Sequence, residues 1–412
     1  MKRIWQISLH RWCKLKRQTA FSKQFVEHFS EVLKILEGAL KSNSSMALNY
    51  ASLLADKLES EGGQRQARML RERLTRTPLA TASAQDSSNG VSLGNLPTDQ
   101  ESRLHTVDVS RPQAQDIQLV LPSAIQTRLD EFVQSVEHHD VLAHAGAALP
   151  SRMLIYGPPG TGKTLTARWI AAQLHLPLLT VRCDTLVSSL LGQTSRNLRR
   201  VFEYATQTPC VLFLDEFDAL AGARGNERDV GELQRVVIAL LQNIDALPDN
   251  TILVAATNHE QLLDPAIGRR FAFQLPVPLP NENQLTALWQ HWLGEFAPDD
   301  LDWTDLARCS QGATGALVEL TCIDAKRAAI LAGQRVVEPP ALYRRLGLTL
   351  ALSRGIRLST QEQEVCWLRN WQPERFSLRV LAALYGASTR KITTILNDLG
   401  EESGNRQRKQ HA

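Results

Sequence analysis

The sequence predicts an α/β fold in which a parallel sheet carries helices on both faces, with all-helical segments before and after it. Three apolar runs support the sheet: Arg152-Met153-Leu154-Ile155-Tyr156, Val211-Leu212-Phe213-Leu214 and Thr251-Ile252-Leu253-Val254-Ala255-Ala256-Thr257. Runs this short and this apolar are what parallel strands buried on both faces require. Helical periodicity lies between them, as in Gly231 to Ala246, where Leu233, Val237, Leu240, Leu241 and Ile244 fall on one side.

Residues 1–20 read as a basic extension. Met1 to Val26 contains no acid and sets Lys2, Arg3, Arg11, Lys14, Lys16, Arg17 and Lys23 between Trp5, Trp12, Phe21 and Phe25. A transit peptide, a membrane-surface helix, a nucleic-acid arm and a plain helical extension all share this composition, and the stretch has no secretory apolar core. Residues 21–76 predict a helical unit with one stripe at Phe25, Phe29, Val32, Leu36 and Leu40 and a second at Leu48, Ala51, Leu54 and Leu58. A shorter third stripe, Ala67, Leu70 and Leu74, comes after Gly62-Gly63. A partner-selecting role and that of an inert prop both fit this unit. Residues 77–115 turn to small and polar residues and predict a flexible linker, so the N-terminal unit is expected to move relative to the α/β domain.

Gly157-Pro158-Pro159-Gly160-Thr161-Gly162-Lys163-Thr164 succeeds the first apolar run and opens a helix. This is the setting of a phosphate-binding loop. Glycines let backbone N-H groups wrap a triphosphate, Lys163 reaches the β- and γ-phosphates, and Thr164 offers a hydroxyl to Mg²⁺. The second run ends in Asp215-Glu216, where Asp215 is placed to hold magnesium and Glu216 to orient and deprotonate a water. The third delivers Asn258, whose amide can bond both that water and the γ-phosphate. Past a proline-bounded turn come Arg269 and Arg270, neither with an obvious partner nearby in sequence. Two planar guanidinium groups there read as fingers reaching a neighbouring subunit's nucleotide.

Together, Gly157 to Thr164, Leu214-Asp215-Glu216-Phe217-Asp218-Ala219-Leu220, Ala256-Thr257-Asn258 and Leu263 to Phe271 resemble the AAA group of AAA+ ATPases. Gln311-Gly312-Ala313-Thr314-Gly315-Ala316-Leu317-Val318-Glu319 resembles the group's sensor-2 segment, which implies that Gly315 and Ala316 lie near the adenine and ribose. The resemblance spans roughly Leu119 to Gly333 and implies an α/β ATPase domain at 116–274 and a helical lid at 275–336. It implies ATP and Mg²⁺ as cofactors and a ring, usually a hexamer, with ATP between neighbours. Within the group the chain looks closest to free-standing bacterial ATPases found beside subtilisin-like proteases or in defence gene sets.

Two features depart from the group's pattern. Leu190 stands where a central-pore loop carries an aromatic, and leucine lacks the flat surface with which an aromatic grips polypeptide. That favours a nucleotide-driven switch or short-range remodeller over processive unfolding. Arg269 and Arg270 are adjacent, whereas many relatives space the pair two apart, so which of them is the finger stays open. The charged stretch Ala223 to Asp229 corresponds to a second pore loop.

Beyond Pro339-Pro340 the resemblance ends, and residues 337–400 predict a helical, helix-turn-helix-like domain before a tail at 401–412. In Leu378 to Asn397, Ala382 is small where two helices cross, Gly386 turns, Ser388 caps, and Ile392, Ile395 and Leu396 face inward. Thr389, Arg390, Lys391, Thr393, Thr394 and Asn397 face outward, able to meet phosphates and base edges through Arg390 and Lys391. A protein-docking bundle has the same profile.

The chain has 412 residues, 43% of them hydrophobic, and a net charge of +3, too balanced to demand nucleic acid. Cys13, Cys183, Cys210, Cys309, Cys322 and Cys366 form no Cys-x-x-Cys pair, which points to a reducing, cytoplasmic setting and away from a zinc module. No apolar run reaches membrane-spanning length. His138, His139 and His144 read as solvated helix surface rather than a metal site, since their spacing is poor and no acid completes a set. Two functions remain in view. One is an ATPase ring that remodels or delivers a protein partner, including to a separate protease, because no protease motif is present. The other is an ATP-gated, DNA-associated sensor or regulator, of the kind used in phage defence.

Overall fold

The computed structural model describes residues 28–41, 43–60, 62–75, 107–183, 191–218, 230–259, 261 and 265–398. The basic extension, Leu190 with its loop, the 223–229 stretch and the C-terminal tail lie outside these residues.

Three helices come first, α1 (Phe29–Leu40), α2 (Ser44–Ser60) and α3 (Gln64–Thr75). Helix α1 corrects the expected stripe. Its buried positions are Glu31, Lys34 and Gly38, while Leu36 and Leu40 are 52% and 85% exposed. The reason is a charge pair: Lys57 Nζ lies 2.5 Å from Glu31 Oε1, so the face that meets α2 is organised around an ion pair. Nor does this unit stand apart from the rest of the chain. The Tyr50 hydroxyl donates to the Thr206 carbonyl at 3.2 Å, Asn43 bonds Gln207 at 2.9 Å, and the Ser30 N-H donates to Asp140 at 3.1 Å. Burial pushes the Tyr50 phenol well above its ordinary pKa.

The sheet contains β1 (Asp108–Ser110), β2 (Arg152–Tyr156), β3 (Leu178–Arg182), β4 (Val211–Asp215), β5 (Ile252–Thr257) and β6 (Phe273–Pro276), in the order β1-β3-β4-β5-β2-β6. All neighbours are parallel except β1, which pairs antiparallel with β3. Strand β1 lies within the stretch that composition assigns to a linker. Three residues with little apolar content carry no readable period, and only pairing with β3 makes them a strand.

Strand alternation divides the sheet's side chains between two cores. Leu154, Leu212, Leu214, Leu253 and Ala255 pack with α7 (Leu191–Gln207) and α8 (Val230–Ala246) through Leu198, Val201, Phe202, Leu240 and Ile244. Met153, Ile155, Val211, Phe213 and Val254 pack on the other face with α4 (Ser123–Glu137) and α6 (Lys163–Gln173). The short helices α5 (His139–His144) and α9 (Pro265–Gly268) complete this part.

After β6 the chain is helical: α10 (Glu282–Leu293), α11 (Trp303–Cys309), α12 (Gly315–Leu331), α13 (Pro339–Ser353), α14 (Gln361–Trp371) and α15 (Leu378–Leu384), with residues 389–398 also helical. Side-chain caps begin several of them, from the Asn281-Gln284 capping box to Thr314, Thr360 and Ser377. A single buried cluster runs from Leu285 and Trp289 through Leu346 and Phe376 to Leu381 and Ile392. Arg344 stacks over the Tyr385 ring at 4.6 Å and bonds Glu364 at 2.9 Å, which ties α13, α14 and α15 together. No helix among the described residues is long and apolar enough to cross a membrane.

Candidate active site

The order of strands sets the position of the site. Strand β2 lies between β5 and β6, so the connection leaving β2 runs back toward β3 while that leaving β5 crosses to β6, and the two part to open a crevice at the C-terminal end of β2. The Gly157–Thr164 loop fills that crevice. Gly157 is required by close approach, because a Cβ there would sit 2.1 Å from the Val277 carbonyl, on the segment that continues β6. Gly160 and Gly162 take φ of 76° and 100°, a region closed to most side chains. Lys163 donates to the Gly157 and Pro158 carbonyls at 2.8 and 2.7 Å, and Thr161 to Pro158 at 2.9 Å. Burial lowers the Lys163 pKa, and Asp215 and Asp218 oppose this. A triphosphate would offer this ammonium stronger, charged acceptors than the two carbonyls.

Strand β4 carries its carboxylates to the same edge. Thr164 Oγ1 lies 2.9 Å from Asp215 Oδ2, which joins the two oxygen donors suited to a hard divalent cation. Glu216 adopts φ of 52°, a left-handed conformation that costs a non-glycine residue energy and recurs at functional sites. Its N-H donates to Asp215 Oδ1 at 2.9 Å, and its side chain is exposed. Two residues on, Asp218 Oδ1 accepts from Thr257 Oγ1 at 3.1 Å and from the Asn258 N-H at 3.3 Å. Asp218 and Thr257 thus fix the end of β5 and the start of Asn258. Sequence reasoning assigned neither a role, although Asp218 lies so close to Glu216 in the chain.

Helix α12 closes the site from the helical side. The Ala316 N-H donates to the Gly160 carbonyl at 3.1 Å, and a Cβ on Gly160 would come 2.8 Å from Thr314 Oγ1. Gly315 and Ala316 therefore meet the phosphate loop at a helix N-terminus, where the dipole favours an anion.

Arg269 and Arg270 are not brought to this edge. Phe273 pairs with Met153 at the start of β2, so the arginines precede the sheet's opposite end. That end of β2 is separated from the phosphate loop by the length of the strand, roughly 16 Å for five residues. Neither arginine has an obvious partner nearby in sequence, but Arg270 has one distant in the chain. Its guanidinium bonds both Asp245 oxygens, at 2.7 and 2.8 Å, and the Ala266 carbonyl at 2.6 Å. A partner 25 residues away on another helix has no signature in local sequence. Among the described residues no group of three or more His, Cys, Asp or Glu is placed to hold a metal ion.

A glycine-rich loop at the switch point, a Thr-Asp donor pair and a strained glutamate and an asparagine at the ends of neighbouring strands describe a nucleotide hydrolase. Residues 153–279 match the profile of the ATPase family associated with various cellular activities (AAA). The chain is 35% identical over 288 residues to the uncharacterized AAA family ATPase y4kL of Sinorhizobium fredii, an alignment covering 70% of this chain and 86% of that protein. The chain belongs to the AAA family of ATPases. It is an ATP hydrolase. It is also 34% identical over 218 residues to proteasome-activating nucleotidase 1 of Haloferax volcanii, covering 50% of this chain and 54% of that one. Against the 26S proteasome regulatory subunit 6A of Schizosaccharomyces pombe the identity is 31% over 251 residues, covering 58% and 57%. The AAA ATPase spans a little over half the length of these two relatives.

Proposed function

We propose that this AAA ATPase works as a ring of identical subunits, six in the simplest arrangement, that hydrolyses ATP between neighbours to remodel or deliver a protein partner. The observation that carries the reading is the placement of the arginines at the end of the sheet opposite the phosphate loop, out of reach of the chain's own nucleotide. A neighbour's site is then their natural target. In that site Lys163 moves from the loop carbonyls to the phosphates, while Thr164 and Asp215 hold magnesium. The ion, when bound, neutralises charge on the β- and γ-phosphate oxygens. Glu216 orients the attacking water and takes its proton, and Asn258, braced through Asp218, aligns water and γ-phosphate. Gly315 and Ala316 close over the nucleotide as the start of a lid that runs through α12.

The names of the proteasome-activating and proteasome regulatory relatives support a protein substrate, including one handed to a separate protease. Cys183, Cys210, Cys309, Cys322 and Cys366 form no disulfide, which fits a reducing, cytoplasmic setting. The test is Glu216→Gln. We expect magnesium-dependent ATP binding without turnover, an ATP-dependent shift to ring size on a sizing column, and retention of a protein partner. A variant that stays monomeric with bound ATP would remove the ring from this reading.

A second reading has its own observation. Ser388 caps residues 389–398, accepting from the Lys391 N-H at 3.2 Å, and Thr389, Arg390, Lys391, Thr393, Thr394 and Asn397 line the helix's outer side, with Arg390 and Lys391 exposed. Such a helix fits the major groove, and Arg390→Ala/Lys391→Ala is expected to weaken DNA binding and its salt dependence. A gel-shift titration over salt checks this. No DNA binding by the wild type at low salt would leave the face to a protein.

A further inference from the structure

Arg269 and Arg270 are neighbours in sequence and opposites in environment. Arg270 is held by a two-bond fork from Asp245 and by the Ala266 carbonyl. The same fork holds the Asp245 carboxyl below its ordinary pKa, against burial. Asp245 belongs to the last turn of α8, and Arg152, at the start of β2, also faces it. Arg152 is buried, donates to the Leu247 carbonyl at 2.9 Å and lies 3.7 Å from Asp249. Phe271, on the other side of Arg270, is buried and packs edge-on against Phe217 with ring centres 6.0 Å apart. Ile267, before the pair, is buried as well. Between Ala266 and Phe271, Arg269 alone is exposed, and among the described residues it has no ion-pair or side-chain hydrogen-bond partner.

We propose that the two arginines divide the work, Arg269 reaching a neighbour's nucleotide while Arg270 is a positioning residue that Asp245 fixes so that Arg269 projects from the subunit. The inference rests on the ring reading and sharpens it. For Arg270 to reach out, three charge-assisted or carbonyl-directed bonds must break. Arg269 gives up only solvent. Its backbone direction is set on one side by Ile267 in the core and on the other by Arg270 and Phe271, so loosening Arg270 misaims Arg269 without removing it.

The experiment is steady-state ATPase kinetics on Arg269→Ala, Arg270→Ala, Asp245→Ala and the Arg270→Ala/Asp245→Ala double variant, each sized with ATP. Each is then mixed with Lys163→Ala subunits, which lack their own nucleotide site and keep both arginines. Arg269→Ala is expected to lower kcat about 10³-fold with KM nearly unchanged, as the loss of an arginine finger does. Arg270→Ala and Asp245→Ala are each expected to lower kcat about 10- to 100-fold, the cost of a finger misplaced by an ångström or so. The double variant is expected to fall no further than either single one, since both remove the same fork. Arg270→Lys/Asp245→Glu, which keeps the charges, is expected to recover part of the loss. Adding Lys163→Ala subunits is expected to restore turnover to the Arg269→Ala protein. If Arg270→Ala falls as far as Arg269→Ala while Asp245→Ala keeps wild-type turnover, the division is overturned and the ring reading stands. If no mixture rescues Arg269→Ala in assemblies of confirmed mixed composition, action across the interface is overturned and the division falls with it.

Discussion

The two edges of this sheet handle charge in opposite ways. At the C-terminal edge, Lys163 rests on backbone carbonyls, Thr164 and Asp215 share one bond, and Glu216 sits on a strained backbone. These are weak or costly arrangements that a polyanion and a cation would replace with stronger ones. At the N-terminal edge, Arg152 and Arg270 are committed to Leu247, Asp245 and Ala266 within the same chain. Of these three arginines, Arg269 is left without an ion-pair or side-chain hydrogen-bond partner among the described residues. One edge is built to receive a ligand, and the other to hold a corner from which a single side chain extends.

The largest effect should come from breaking the receiving edge. Gly157→Ala forces a methyl into the Val277 carbonyl and a side chain onto a φ of 152°. We expect ATP affinity to fall about 100-fold or more, read by titration with a fluorescent nucleotide. Wild-type affinity would mean that the loop can part from the segment after β6. Next in size, Asp218→Ala releases Thr257 Oγ1 and the Asn258 N-H together. We expect kcat to drop about 10-fold or more, with ATP affinity within about threefold, because positioning is lost and binding is not. Equal losses in both quantities would recast Asp218 as a binding group.

The holding edge should respond in stability instead. Arg152 is buried with no hydrogen-bond partner at Nε, so the charge is only partly compensated. Arg152→Ala is expected to cost about 2 to 3 kcal/mol in a denaturant titration, through lost packing and the freed Leu247 carbonyl. Arg152→Met, which keeps most of the volume, is expected to cost about 1 kcal/mol. ATP affinity should be unchanged in both, and a Met variant as unstable as Ala would show that charge holds the corner.

The smallest effect lies outside both edges, in the Glu31–Lys57 pair. Burial alone would raise the Glu31 pKa, but the Lys57 ammonium, together with hydrogen bonds from the backbone and Ser30, outweighs it and holds the carboxyl below its ordinary value. The folded value is therefore lower than the unfolded one. The stabilisation is complete above the ordinary carboxylate range and fades as pH falls through the lowered value. Glu31→Gln is expected to cost about 1 to 2 kcal/mol at neutral pH and nearly nothing in strong acid. Thermal melts of both proteins across that range check it, and a pH-independent difference would count against the pair.

Much of the receiving edge was legible in the sequence because its chemistry is local in the chain. Gly157 to Thr164 is one loop, Asp215-Glu216 one strand end and Asn258 another, and strands of a parallel sheet must bring such ends to one side. The holding edge was not. Asp245 and Arg270 lie on different elements, and Arg152 reads as a strand residue like any other. The first helix misled for a related reason. Its leucines have a clean period, yet the buried face is Glu31, Lys34 and Gly38. A periodic stripe marks a face that can be buried, and a partner helix decides whether it is.

By itself, then, the sequence determined the α/β class, the membership of an ATPase family and the glycine-rich loop with the residues proposed to bind and hydrolyse a nucleotide, since these readings depend on period, spacing and residue type over a few consecutive positions. Only the tertiary structure decided that the arginines lie at the far end of the sheet and that Arg270 is tied to Asp245. It alone joined the C-terminal helices to one core running from Leu285 to Ile392. The physical reason is that hydrogen bonds and packing act over a few ångströms in space, while the partners they join are separated by tens of residues in sequence.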